Sequence, residues 1–163
     1  MREPLTAEDE TTVTAQLQRR PRGVAGVAAR CPCGKPSVVA TVPRLADGTP
    51  FPTTYYLTCP RATSACSTLE SQGVMATMTA RLQQDEALAA AYRSAHVAYL
   101  ADRAELGEVP EIAGVSAGGM PDRVKCLHVL VGHALAAGPG VNPLGDEALA
   151  LIRGAWRPDR CTC

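Results

Sequence analysis

Apolar positions along the chain follow two patterns, short β-type runs before residue 60 and helix-spaced stripes after it. Thr6-Ala-Glu-Asp9 sets an acid three residues after a candidate N-cap, and Val13 and Leu17 recur four apart. That pattern predicts a short, mostly polar helix within Thr6 to Arg20, ended by Pro21-Arg-Gly23. Gly23 to Arg30 then reads as a small-residue strand and Pro36 to Leu45 as a second, whose far end Pro43 confines to an edge or a bulge. After the turn residues of Ala46 to Pro52, the β-branched and aromatic run Thr53 to Thr58 predicts a third strand. Three strands with short connections form an antiparallel meander.

Beyond Pro60 the period changes. Arg61 to Gln72 and Val74 to Gln84 predict two short helices separated by Gly73. Asp85 is placed to cap a longer helix, Glu86 to Leu106, with Leu88, Tyr92, Ala95, His96, Tyr99 and Leu100 as its buried stripe. A Gly/Pro-containing connection, Gly107 to Met120, leads to Pro121, which reads as the first residue of a helix reaching Ala137. This helix is apolar nearly all round and is expected at the centre of the fold. Gly138-Pro-Gly140 stops it, and Asn142-Pro143 or Asp146 starts a last helix to about Trp156. The expected fold class is α+β, a small three-stranded antiparallel sheet packed on a helical body of about four to five helices. An N-terminal helix occupies 1–22, a single compact domain 23–157 and a Cys-x-Cys tail 158–163.

Composition narrows the function classes. The chain has 163 residues, enough for a core that does not depend on metal or disulfides alone. Sixteen basic residues balance sixteen acidic ones, which argues against general nucleic-acid binding or a membrane-surface role. No apolar run approaches the ~18 residues of a membrane span. Met1 to Thr14 has acids and threonines where an export signal would carry an apolar stretch of ~7–15 residues, so a cytoplasmic location with reduced thiols is expected.

The seven cysteines then become the main chemical feature, four of them in the pairs Cys31/Cys33 and Cys161/Cys163. In a reducing compartment such clusters more often ligate metal than form disulfides. An up-down-up meander brings Cys31, Cys33 and Cys59 to one end of the sheet. Cys31-Pro-Cys-Gly-Lys35 has the form of a metal-binding knuckle, with Gly34 allowing the turn and Lys35 lowering thiol pKa by its charge. Three thiolates call for a fourth ligand, which Cys66, Cys126, His133 or the Cys161/Cys163 tail can supply, to hold zinc or an iron–sulfur cluster. Cys126 is preferred, because a buried helix holds a ligand rigidly and a chain end frays. On that helix Cys126 and His133 are about 20° apart and His128 points away. Cys66 fits better as a small buried hydrophobe.

A second candidate is the connection Ser116 to Lys125. Gly118 and Gly119 leading into a helix N-terminus would expose amides to an anion, with Arg123 and Lys125 supplying charge and His128 available for proton transfer. A flexible turn closed locally by Asp122 explains the same residues. Arg44 and Phe51 on the Asp47-Gly48 loop offer an exposed partner surface, or only a well-specified strand connection. No Ser-His-Asp set, His-Glu-x-x-His motif or paired-carboxylate arrangement is present.

Five segments together carry a resemblance: Cys31-Pro-Cys-Gly34, Pro43 to Thr53, Tyr56-Leu-Thr-Cys-Pro60, Gly118 to His128 and Gly140 to Leu149. From about Gly23 to Leu151 the chain resembles the actinobacterial domain-of-unknown-function family 501. That resemblance implies a compact cytosolic protein, often encoded beside a septum-formation initiator and an exopolyphosphatase, and it brings no catalytic residues. Family members do not all keep a cysteine at the positions matching Cys33 and Cys59, and the Cys161/Cys163 tail lies outside the resemblance. The preferred expectation is a metal-supported binding module whose turn accepts a phosphate-containing ligand or an acidic protein partner. The alternative is an enzyme acting on a phosphorylated or polyphosphate-like substrate, with a metal-bound water or His128 moving protons. A redox-sensing or metal-delivery protein is a third reading.

Overall fold

The computed structural model describes residues 2–163. Its first helix, α1 (Ala7–Leu17), begins with a reciprocal capping box in which Thr6 Oγ1 accepts from the Asp9 amide and Asp9 accepts from the Thr6 amide, both at 3.1 Å. The meander follows as β1 (Val24–Arg30), β2 (Pro36–Thr41) and β3 (Tyr55–Leu57), antiparallel and in the order β1-β2-β3. All six residues of β2 are buried, because helices cover both faces of this central strand. Val39 shares a cleft with Leu17 of α1, while Val38 belongs to the helical core on the other side. Pro43 lies outside the ladder, as its missing N–H requires.

The helical body contains α2 (Pro60–Glu70), α3 (Val74–Gln84), α4 (Glu86–Ala104), α5 (Leu127–Ala137) and α6 (Pro143–Leu151). With α1 this makes six helices, one more than the upper count expected, in the α+β arrangement the sequence indicated. Asp85 caps α4 through the Leu88 amide at 3.0 Å, and Asn142 caps α6 through the Gly145 amide at 3.0 Å. Central helix α5 packs on the sheet, α2 and α6, and buries seven of its eleven residues. Among the described residues no helix is long and apolar enough to cross a membrane.

Three expectations need correction. The helix expected from Pro121 begins only at Leu127. The preceding amides are taken by a turn, Arg123 N–H to Gly119 O at 3.1 Å and Lys125 N–H to Gly118 O at 2.7 Å, and Thr79 Oγ1 accepts from Val124 N–H at 3.0 Å. Phe51 is half-buried against Leu45 and Tyr56 instead of exposed. His96 lies at the edge of the α4 stripe with Nδ1 2.8 Å from Ser116 Oγ, and so ties the long connection to α4. Arg103, buried on the same helix, holds that connection more firmly by donating to the Val115 and Ile112 carbonyls at 2.6 and 2.7 Å.

One ion pair fixes the N-terminal helix to the sheet beside the cysteine turn. Arg30 donates to both Asp9 carboxylate oxygens, at 2.7 and 3.0 Å, and to the Gly34 carbonyl at 2.9 Å. The Arg30 hydrogen bond holds the Asp9 carboxyl far below the usual carboxylate range, against the opposing effect of burial. A lowered folded-state pKa stabilises the fold fully above the unfolded value near ~4, and the contribution declines as pH falls from there and is lost only below the folded value. Asp9→Asn is expected to cost about 1–2 kcal/mol at neutral pH and progressively less as pH falls below ~4. Urea midpoints across pH check this, and a constant difference between the two proteins would contradict it.

Candidate metal centre

β1 ends at Arg30, and the next residues turn under their own backbone. The Cys31 amide donates to Lys35 O at 2.9 Å and the Gly34 amide to Cys31 O at 2.8 Å. Gly34 makes the turn with φ +89°, a conformation that side chains disfavour. Cys31 is buried and Cys33 exposed. The Lys35 backbone amide, not its ammonium group, is the main cause that lowers the Cys33 thiol to about 7.

The chain end closes on this turn. Trp156, 1% exposed, anchors the segment after α6 in the core. Arg157 then pairs with Asp159 at 2.6 and 2.9 Å, and an isolated bridge joins Arg157 to Arg160. The result is that the sulfurs of Cys31, Cys33, Cys161 and Cys163 all lie within 4.8 Å of one another. Cys163 Sγ is 3.6 Å from Cys31 Sγ. A disulfide requires about 2.05 Å. Four sulfurs at about 2.3 Å from one tetrahedral ion stand about 3.8 Å apart, close to what is seen. Burial is the main effect raising the Cys31 and Cys163 thiols above their ordinary value, with the neighbouring cysteines contributing. A cation among them removes that penalty by taking the thiolates as ligands.

The structure therefore joins Cys31 and Cys33 to the tail, and places Cys59 and Cys126 elsewhere. Cys59, fully buried, occupies the N-cap position of α2 outside this four-sulfur group, though near enough to Cys163 to act on it electrostatically. Cys66 is fully buried in the core, and burial pushes its thiol up to about 12. His133 does not share a face with Cys126 in a ligand set. It is enclosed by Tyr55 and Tyr99 at centroid distances of 5.9 and 5.0 Å, and burial lowers it to about 4.

Cys126 stands just before α5 in a second group with Glu70 and His128, all three ligand atoms within 4.8 Å of one another. Nδ1 of His128 is 3.0 Å from Glu70 Oε1 and 3.8 Å from Cys126 Sγ. Its Nε2 is 3.2 Å from Thr63 O and 3.3 Å from Ser67 Oγ. Hydrogen bonding to Cys126, then to Glu70, raises His128 to about 9 against the effect of burial. Glu70 Oε1 also accepts the Leu127 amide at 2.8 Å, so the protein's own carboxylate occupies the anion position at the N-terminus of α5. The Gly118–Lys125 turn spends two of its amides internally, which leaves the exposed side chains of Arg123 and Lys125 as its basic groups, with the acidic Asp122 beside them. They border a cleft of about 420 Å³ that Cys126 also lines.

The sequence offers the tail only as one of several fourth ligands, ranked behind Cys126, and does not single out Glu70. The tail carried a usable signal, the same Cys-x-Cys spacing as the knuckle it meets. Glu70, the last residue of a mostly polar helix, carried none.

Fold and site define a small α+β chain with a four-cysteine group compatible with a metal ion. Residues 27–150 match the model of the protein family of unknown function DUF501, and the chain belongs to that family. No curated protein and no solved structure matches it. Glu70, Cys126 and His128 fall within the matched residues, and Cys161 and Cys163 fall after them.

Proposed function

We propose that the chain is a metal-supported binding module in which Cys31, Cys33, Cys161 and Cys163 hold one zinc-class ion. The observation that carries this reading is the convergence of four sulfurs from two Cys-x-Cys segments on one point. Four thiolates and no open position make a structural site, which staples the chain end to the β1–β2 turn. A spread of at most 4.8 Å suits a single ion better than an iron–sulfur cluster, whose several irons hold their thiolates further apart. Arg123 and Lys125, exposed beside their cleft, are the groups that would receive a phosphate-containing ligand or a partner's acidic side chain.

Elemental analysis of the purified protein, with Cys161→Ser/Cys163→Ser as the comparison, tests the module. The expected result is a tightly held zinc-class ion that the double variant loses while keeping its helical circular dichroism. Seven freely titrating thiols and no metal would sink the proposal. Titrating the same protein with inorganic phosphate tests the basic turn, since binding that is unchanged in Arg123→Gln/Lys125→Gln removes that part alone.

A further inference from the structure

The geometry points to a second, open metal site at Glu70, Cys126 and His128, independent of the four-cysteine centre and suited to an exchangeable divalent ion of the zinc class. The hydrogen-bond pattern around His128 supports it. Nε2 has Thr63 O at 3.2 Å and Ser67 Oγ at 3.3 Å, and with the ring proton on Nε2, donated to the Thr63 carbonyl, Nδ1 presents its lone pair beside Glu70 Oε1 at 3.0 Å. In that tautomer two acceptors face each other at hydrogen-bond distance, the arrangement that a shared metal ion or a second ring proton satisfies. The Cys126 sulfur, 3.8 Å from the same nitrogen, adds a soft ligand that favours the metal.

The distances fit one ion. A tetrahedral zinc with bonds of about 2.0 Å to nitrogen, 2.1 Å to oxygen and 2.3 Å to sulfur sets N···O at about 3.4 Å and N···S at about 3.5 Å. The separations of 3.0 and 3.8 Å lie to either side of these values and need shifts of a few tenths of an ångström. The supporting contacts are those that metal-bound side chains use. Histidine donates its far N–H to a backbone carbonyl, and the carboxylate is oriented by the Leu127 amide at 2.8 Å. The three ligands come from two elements that pack together, the end of α2 and the start of α5.

Unlike the four-cysteine centre, this group has three protein ligands. Cys126 and His128 line a cleft of about 650 Å³ together with Thr63, Ser64 and Tyr56. A fourth ligand would come from that cleft, as water or as an oxygen of a bound molecule. Three protein ligands with an exchangeable fourth position is the arrangement of zinc sites that do chemistry or bind substrate.

The test titrates metal-free full-length protein with Co(II) and with Zn(II), reading visible Co(II) absorption and the metal retained after gel filtration. Wild type should retain two ions. His128→Gln and Glu70→Gln should retain the four-cysteine ion and bind the other at least about tenfold more weakly. Glu70→Gln keeps an acceptor for the Leu127 amide, so the helix start survives the substitution. Cys161→Ser/Cys163→Ser should lose the first ion and keep the second, which separates failure of this site from failure of the four-cysteine proposal. If His128→Gln and Glu70→Gln both retain as much metal as wild type with unchanged affinity, the inference is wrong. In that case His128 is an imidazolium paired with Glu70 and nothing more.

Discussion

Removing residues 161–163 is expected to lower the unfolding temperature of the metal-loaded protein by roughly 6–12 °C, and to have almost no effect once metal has been chelated. Three residues at a chain end contribute little core, so ordinary fraying would predict a negligible change. The four-cysteine group changes this, because a metal held there would cross-link positions 132 residues apart. For a covalent link closing a loop of ~100 residues, the chain-entropy model gives about 4–5 kcal/mol. A metal link is reversible and stabilises only by its occupancy, about 3 kcal/mol when the ion exceeds its dissociation constant a hundredfold. The smaller figure sets the expectation, and in a chain of this size each kcal/mol moves the midpoint about 2–4 °C. The separation of loaded from chelated samples matters more than the absolute drop. A truncation effect that persists unchanged in chelator would assign the loss to tail packing and leave the metal no stabilising role.

Gly145→Ala is expected to destabilise the protein by about 2–3 kcal/mol, although alanine is the better helix former. A Cβ at Gly145 would overlap Leu130 O and stand 2.9 Å from the Ala134 Cβ. The first contact is with backbone, so no side chain can rotate away, and α6 must move off α5. Helix propensity favours alanine by about 1 kcal/mol. Overpacking a close helix–helix contact costs about 1–3 kcal/mol and sometimes more, and a clash with backbone belongs at the upper end. The packing effect decides the sign. Gly154→Ala is the control, with no atom within 4 Å of its Cβ and no left-handed backbone, and should stay within about 0.5 kcal/mol of wild type. Urea unfolding of the three proteins checks this. A Gly145→Ala variant as stable as wild type would mean that α5 and α6 do not approach as closely as described.

Elements bounded by local signals were legible in the sequence. Helix α3 runs from Val74 to Gln84 as expected because Gly73 and Asp85 mark its ends, and Asp85 and Asn142 are caps in fact as in pattern. The meander was legible for the same reason, since its turns contain the residues that turns need. Helix α5 was misread at its start. Pro121 has the form of a first helical residue, but Thr79 on a distant helix and the turn carbonyls of Gly118 and Gly119 take the amides that a helix would have needed. No window of the sequence contains that competition.

The candidate centre was legible by half. Cys31 and Cys33 were visible as a knuckle from five consecutive residues, whereas their partners lie 132 positions away at a terminus that the usual rule treats as frayed. Trp156 is what overturns that rule here. Its indole is 1% exposed and fixes the segment five residues before Cys161, so the tail starts from an anchored point. Cys126 was grouped with the sheet-end cysteines because a helix from Pro121 would have carried it inside the fold. Standing before α5 instead, it meets Glu70 and His128.

X-ray absorption at the zinc edge reads directly whether the four thiolates share one ion. The sample is His128→Gln loaded with one equivalent of zinc, so that the Glu70 group does not contribute. The expected first shell is four sulfurs at about 2.3 Å with no nitrogen or oxygen. A shell containing imidazole or oxygen, or a protein that does not retain the zinc, would contradict it.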